Sequence, residues 1–143
     1  MVLDAKVWGP HYWFVLLTIA LSYPKHPNDV TKKKYYELIQ NFPLFMPDSQ
    51  IGNGFSDLLD KYPVTPYLDS RESFVKWVHF MHNRVNIMLG KDEITLTKAL
   101  DNYYGNYKPR QQRWREELKY RQKLIYVVII IILLVGIKYF YNK

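Results

Sequence analysis

No cysteine occurs among the 143 residues, and that one absence removes several chemistries together. A disulfide framework, a thiolate nucleophile, a thiol/disulfide redox couple and a zinc site built on thiolates are all excluded. Other devices are missing as well. The four histidines, His11, His26, His79 and His82, show no metal-ligand spacing with a carboxylate. Gly52-Asn53-Gly54 lacks the Lys-Ser/Thr that completes a phosphate-cradling loop. No stretch alternates apolar and polar residues as a half-buried strand does. Residues 1–6 run into Trp8-Gly9-Pro10 rather than an apolar run with a small-residue cleavage site, so no signal peptide is expected. A cysteine-free chain suits a reducing cytosol without being confined to it.

The charge is just as unevenly supplied. The net charge is +7, yet residues 1–107 carry 11 Lys/Arg against 11 Asp/Glu, while residues 108–143 carry 9 against 2. A neutral globular part argues against a nucleic-acid-binding domain, and the whole excess belongs to the tail. The tail then turns apolar. Residues 124–137 hold no charge, and Lys138 with Tyr139, Phe140 and Tyr141 follows. Fourteen residues is short for a span, and a buried core helix is the competing reading. Lys138 can snorkel, which extends the usable stretch to 18 residues, about 27 Å at ~1.5 Å per residue. Tyr126 and Tyr139–Tyr141 stand where interfacial aromatic belts occur. The stretch has no polar face, and a domain of about 100 residues cannot bury such a helix all round.

These features predict three parts: a helical domain over 1–107, a basic juxtamembrane helix over 108–123, and a transmembrane tail anchor over 124–141. Seven basic residues, Lys108, Arg110, Arg113, Arg115, Lys119, Arg121 and Lys123, precede the span, and Lys138 and Lys143 follow it. The positive-inside rule then puts the domain on the cytosolic side of a single-pass membrane protein.

Within the domain, proline and glycine punctuate short apolar-periodic segments. Pro10 in a first turn opens a helix over 12–21. Asn28 or Asp29 caps one over 31–42, with Tyr35, Leu38, Ile39 and Phe42 facing inward. A third runs over 53–62 on Phe55, Leu58, Leu59 and Tyr62. Asp69 and Glu72 make a capping-box-like start to a fourth that carries Phe74, Val75, Val78, Phe80, Met81 and Val85 to Gly90. Thr95 or Thr97 caps a fifth ending near 107, and 110–123 continues into the span without a breaker. The fold class is all-α: a four-helix bundle, a short fifth helix and a long C-terminal helix.

Two blocks carry a resemblance. Trp8-Gly9-Pro10-His11-Tyr12-Trp13 leads to Thr18, Ala20 and Tyr23-Pro24, and Trp77 is followed by His82, Asn83, Val85, Asn86, Leu89 and Lys91. In residue type and spacing they resemble the FAD-linked sulfhydryl oxidases of the ERV/ALR family over residues 7–107. That resemblance implies a remnant FAD site at Gly9, Trp13, Trp77, His82, Asn83, Asn86, Lys91 and Tyr103, the last standing at a typical Trp position. It also implies where chemistry has been lost. Leu44 and Pro47 occupy the places of the redox Cys-x-x-Cys, Leu96 replaces another cysteine, Leu17 stands for a flavin-contacting His, and Gly54 for a second His. Four additional residues fall within 47–54.

No catalytic residue is therefore assigned, and no thiol oxidation is expected. No cofactor is expected either, since Leu17 and the 47–54 insertion should close the pocket, although FAD stays open as an alternative. The resulting reading is a membrane-anchored structural or interaction protein on a degenerate oxidase scaffold. By resemblance to members from large DNA viruses, it sits in a virion inner membrane with its domain facing the capsid. The partners expected are the membrane and other proteins, capsid proteins or a second copy among them, and no nucleic acid. Thirteen tyrosines exceed what so small a core can use, which makes Tyr35, Tyr36, Tyr103, Tyr104 and Tyr107 candidate contacts.

Overall fold

A computed structural model describes residues 3–141; Met1, Val2, Asn142 and Lys143 lie outside the described residues, as do the side chains of Arg110, Gln111, Arg113 and Phe140. The described residues are all-helical, as the sequence predicts. In order they form α1 (Ala5–Ser22), α2 (Asp29–Asn41), a 3-10 turn (Phe42–Phe45), α3 (Ser49–Lys61), a second 3-10 turn (Thr65–Tyr67), α4 (Arg71–Met88), α5 (Leu96–Gly105) and α6 (Arg110–Tyr141).

Short polar side chains set the helix starts. The Oδ1 of Asp4 accepts from Lys6 N at 2.8 Å, that of Asn28 from Thr31 N at 2.8 Å, and that of Asp48 from both Gln50 N and Ile51 N. Ser70 Oγ accepts from Ser73 N, and Thr95 Oγ1 from Lys98 N. Each satisfies donors that the first turn leaves unpaired. Three boundaries move relative to the sequence reading for this reason. Capping by Asp4 carries α1 back to Ala5, so Pro10 lies inside the helix, where its ring forgoes the bond to the Lys6 carbonyl. Asp48 starts α3 at Ser49, folding most of the 47–54 insertion into a helical turn. Ser70 rather than Asp69 caps α4, and Asp69 pairs instead with Lys32 Nζ at 2.6 Å.

α1 packs along α4, and α3 packs against α4 and the first 3-10 turn. Two glycines permit this closeness. A Cβ on Gly52 would lie 2.9 Å from the Pro43 carbonyl oxygen, and one on Gly54 would lie 2.5 Å from Met88 Sδ. The core centres on Tyr23, Phe55, Phe74, Leu16, Ile39 and Met81, all nearly inaccessible. Tyr23 is buried whole because its hydroxyl donates to the Leu68 carbonyl at 2.8 Å, and its ring meets Tyr35 and Phe74 edge-on. Phe80, expected on the inner face of α4, falls beside the 74-78-81-85 stripe; it stands half out, edge-on to Tyr62 and under the Arg84 guanidinium.

The chain divides into two compact units, Met1–Leu100 and Asp101–Lys143. The second contains α6, an unbroken helix of 32 residues. Within it Trp114–Tyr139 is long and apolar enough to cross a membrane, and none of that candidate span is buried. Every apolar side chain from Leu124 to Ile137 is 45 to 65% exposed, so the core-helix alternative does not describe this segment.

Candidate functional site

A cleft of about 260 Å³ lies in the first unit between α1, the segment 42–51 and the end of α4. Its first wall follows from helical periodicity. Trp8, Tyr12 and Leu16 recur every four residues on α1, with Gly9 and Trp13 alongside, so one stripe of the helix faces the cleft. Tyr12 ties that stripe to the opposite side by donating its hydroxyl to the Phe45 carbonyl at 2.6 Å. Phe42, Met46 and Ile51 form the second wall.

The third wall comes from α4, where His82, Val85, Asn86 and Leu89 reach the cleft and Lys91 is folded back to its rim. The turn that returns Lys91 is set by local geometry. Gly90 adopts φ +68°, open to glycine at no steric cost, and lets Gly90 N bond Ile87 O at 3.0 Å and Lys91 N bond Asn86 O at 2.8 Å.

His82 stacks flat against Trp13, ring centroids 4.3 Å apart at 16°. Burial, reinforced by His79 and Lys91, lowers its pKa from 6.5 to about 4, so the imidazole is neutral near pH 7. Among the described residues Lys91 is then the one charge lining the cleft, and no carboxylate lines it. Asn86 is largely buried and lines the cleft, and among the described residues no hydrogen bond ties its side-chain amide to another group. A planar aromatic group with one polar edge and a negatively charged extension fits this chemistry: flat apolar walls, a spare amide and an ammonium. The volume falls just under the ~300–1,000 Å³ typical of ligand pockets, room for a ring system with any extension leaving past the Lys91 rim.

The residues singled out in the sequence thus divide. Gly9, Trp13, His82, Asn86 and Lys91 meet at the cleft. Trp77 is a core residue, with its Nε1 donating to the Tyr62 carbonyl at 3.1 Å and its ring stacked on Phe74. Asn83 is committed to the loop after α4: its amide donates to Ile94 O at 2.9 Å and accepts from Ile94 N at 3.0 Å, while His79 Nε2 lies 2.8 Å from the same carbonyl. Tyr103 belongs to the second unit, buried, with its hydroxyl 2.9 Å from that of Tyr107. Leu17 packs on the core and does not line the cleft; Ile51 is the insertion's contribution, and the cleft stays open. Leu44, in the first 3-10 turn, is 78% exposed, and neither it nor Pro47 lines the cleft. Tyr12, Phe42 and Met46 were not singled out as site residues; the spacing of Trp8, Tyr12 and Leu16 carried a signal, whereas the irregular backbone around Phe42 and Met46 gave none.

Comparison with known proteins accords with this geometry. Residues 10–105 match the Erv1 / Alr family. A protein of Acanthamoeba polyphaga mimivirus named as a probable FAD-linked sulfhydryl oxidase is 31% identical over 111 residues, 77% of this chain and 78% of the relative. The FAD-linked sulfhydryl oxidase of African swine fever virus is 30% identical over 96 residues, covering 67% and 79%. Among solved structures, the yeast Erv1 core superposes with a TM-score of 0.64 at 25% identity, over 71% of this chain and 84% of the other.

Proposed function

This chain belongs to the Erv1/Alr family, and from that premise we propose that it is a member without thiol chemistry, held to a membrane by residues 124–141 and serving as a docking scaffold for other proteins. The observation that carries the reading is the absence of cysteine from all 143 residues. Thiol oxidation requires a thiolate that attacks a disulfide or adds to a flavin, and no other side chain supplies that two-electron sulfur couple. Among the described residues Met46 is the only sulfur lining the cleft, and a thioether goes to sulfoxide without ever forming a disulfide. Oxygen consumption with dithiothreitol, after addition of FAD, is expected to equal that of free flavin; a clear excess overturns the reading.

The membrane part rests on the exposed apolar stretch of α6, and the orientation on seven basic residues before Leu124 against two after Ile137. The bundle accordingly lies on the cytosolic side. Two of the relatives are viral, and on that ground we place the chain in a virion inner membrane, whose cytosolic face turns toward the capsid once the membrane is enclosed. Exposed Tyr36, Tyr104 and Tyr107 are the proposed contacts for capsid proteins or a second copy. Carbonate extraction should leave the protein with membranes, and protease added from the cytosolic face should digest the bundle. A photo-crosslinker at Tyr36 or Tyr104 of the full chain should trap a protein partner; the docking role fails if neither position does.

A second reading, that the cleft holds a flavin, is favoured by one observation: the cleft is open, with the Asn86 amide unspent. Trp13 and His82 would offer the flat face, Asn86 the hydrogen bonds and Lys91 the cation for phosphate. Bound flavin supplies a two-electron carrier, while these residues only bind and orient it. FAD at one hundred times its dissociation constant stabilises a native state by ~2.7 kcal/mol, a shift of several degrees in melting temperature. Colourless protein with no such shift ends this reading.

A further inference from the structure

The basic segment of α6 does more than orient the chain: we infer that Arg115, Lys119 and Lys123 form a binding stripe for anionic phospholipid headgroups. The inference deepens the membrane reading above and rests on it. Only two acids occur in residues 108–143, and both are spent: Glu116 holds Lys108 Nζ at 2.8 Å and Glu117 holds Arg121 Nη2 at 2.9 Å. Arg115, Lys119 and Lys123 are exposed and, among the described residues, make no ion pair. They recur every four residues, and at 3.6 residues per turn they occupy about 80° of the helix surface, with Tyr126 continuing the same face.

The heights agree with the partner. If Leu124 begins the hydrocarbon, Lys123 lies ~1.5 Å and Lys119 ~7.5 Å outside it, within the headgroup layer of about 5–7 Å plus a side chain's reach, and Arg115 about 13 Å out. Tyr120 and Tyr126, both exposed, flank Lys123 at the depth where interfacial tyrosines collect. The bundle offers no comparable excess, since residues 1–107 are balanced in charge. A nucleic acid would have to be held by this same short stripe, with nothing from the neutral domain beside it.

The test uses the full chain reconstituted in phosphatidylcholine vesicles carrying trace spin-labelled phosphatidylserine or phosphatidylcholine. Motional restriction of each probe gives an association ratio, serine over choline, expected at about fivefold or more at low salt, since one basic residue near the surface contributes ~1 kcal/mol. It should fall toward one in 1 M salt, where the Debye length is ~3 Å. The triple substitution Arg115→Gln, Lys119→Gln, Lys123→Gln should also bring it toward one. The matched triple Lys32→Gln, Lys33→Gln, Lys34→Gln, which removes equal charge from the bundle, should leave it unchanged. An equal fall in both variants, or a ratio near one in the unmodified protein that stays in the vesicles, overturns the lipid preference alone. Release of the protein from the vesicles by carbonate overturns the span, and the inference with it. Duplex DNA that abolishes the serine preference at equal phosphate would reassign the stripe to nucleic acid and overturn it too.

Discussion

Two regions of the first unit carry the resemblance to FAD-linked oxidases, and they have fared differently. α4 carries Trp77, His82, Asn83 and Asn86 of the family-like pattern, whereas the segment 42–54 has Leu44 and Pro47 where the resemblance implies cysteines. Read as motif, α4 looks like a preserved cofactor site. These four side chains show three separate duties instead: Trp77 fills the core, Asn83 staples the 89–95 loop, and His82 and Asn86 face the cleft. The first two would be needed by the fold with or without a ligand. In the segment 42–54 Leu44 has no such structural duty, since it is exposed and off the cleft.

The sharpest way to break this comparison is at Trp77. Trp77→Ala is expected to cost about 3–5 kcal/mol in denaturant unfolding, enough to leave so small a bundle largely unfolded. A loss below 1 kcal/mol would mean that the tryptophan is not structural and is held for something else. Next comes Asn83→Ala, which strands the Ile94 N–H and leaves its carbonyl to His79 alone, and should cost about 1–3 kcal/mol, with hydrogen exchange rising first in residues 89–95. Exchange that rises evenly through the bundle would separate Asn83 from the loop.

A smaller effect is expected at His82. Its folded pKa, about 4, lies below the ordinary 6.5, so between these values the unfolded chain binds more protons. Its contribution is fully present above pH 6.5 and is lost as the pH falls through about 4. The part of that pH dependence removed by His82→Leu should be on the order of 1–2 kcal/mol, discounted for the solvent that reaches the ring. Parallel pH profiles for the two proteins would show that His82 is not desolvated against Trp13. At the small end, Leu44→Ser should move stability by no more than about 0.5 kcal/mol. Restoring thiols with Leu44→Cys and Pro47→Cys together should leave oxygen consumption at the free-flavin level, because neither position lines the cleft. Oxidase activity in that double variant would erase the distinction between the two regions.

Much of this was legible beforehand for local reasons. Helix existence follows from apolar periodicity, and the starts at Asn28 and Thr95 from residues whose short oxygens reach back to the first turn. Composition left Asn28 or Asp29 and Thr95 or Thr97 open, and it pointed to Asp69 where Ser70 is the cap of α4. Lys32, distant in sequence, claimed Asp69 and left the cap to Ser70. Pro10 misled for a similar reason, since the cap at Asp4 and the edge contact of Trp8 with Tyr12 extend α1 through it. Leu17 was expected to plug the pocket, but it falls one residue off the Trp8-Tyr12-Leu16 stripe and turns to the core.

By itself the sequence determined what depends on residue type and near neighbours: no thiol chemistry, helices rather than strands, a neutral bundle and a basic tail leading into an apolar helix. Tertiary structure alone decided which of the family-like residues meet. Whether His82 faces a cleft while Trp77, five residues earlier, faces the core depends on how α1 and α3 pack against α4. That packing is set by contacts far apart along the chain, such as the Cβ-free approach of Gly54 to Met88 and the hydroxyl of Tyr12 on Phe45. Long-range contacts of this kind leave no period in the sequence, so the cleft became visible only when the helices were brought together.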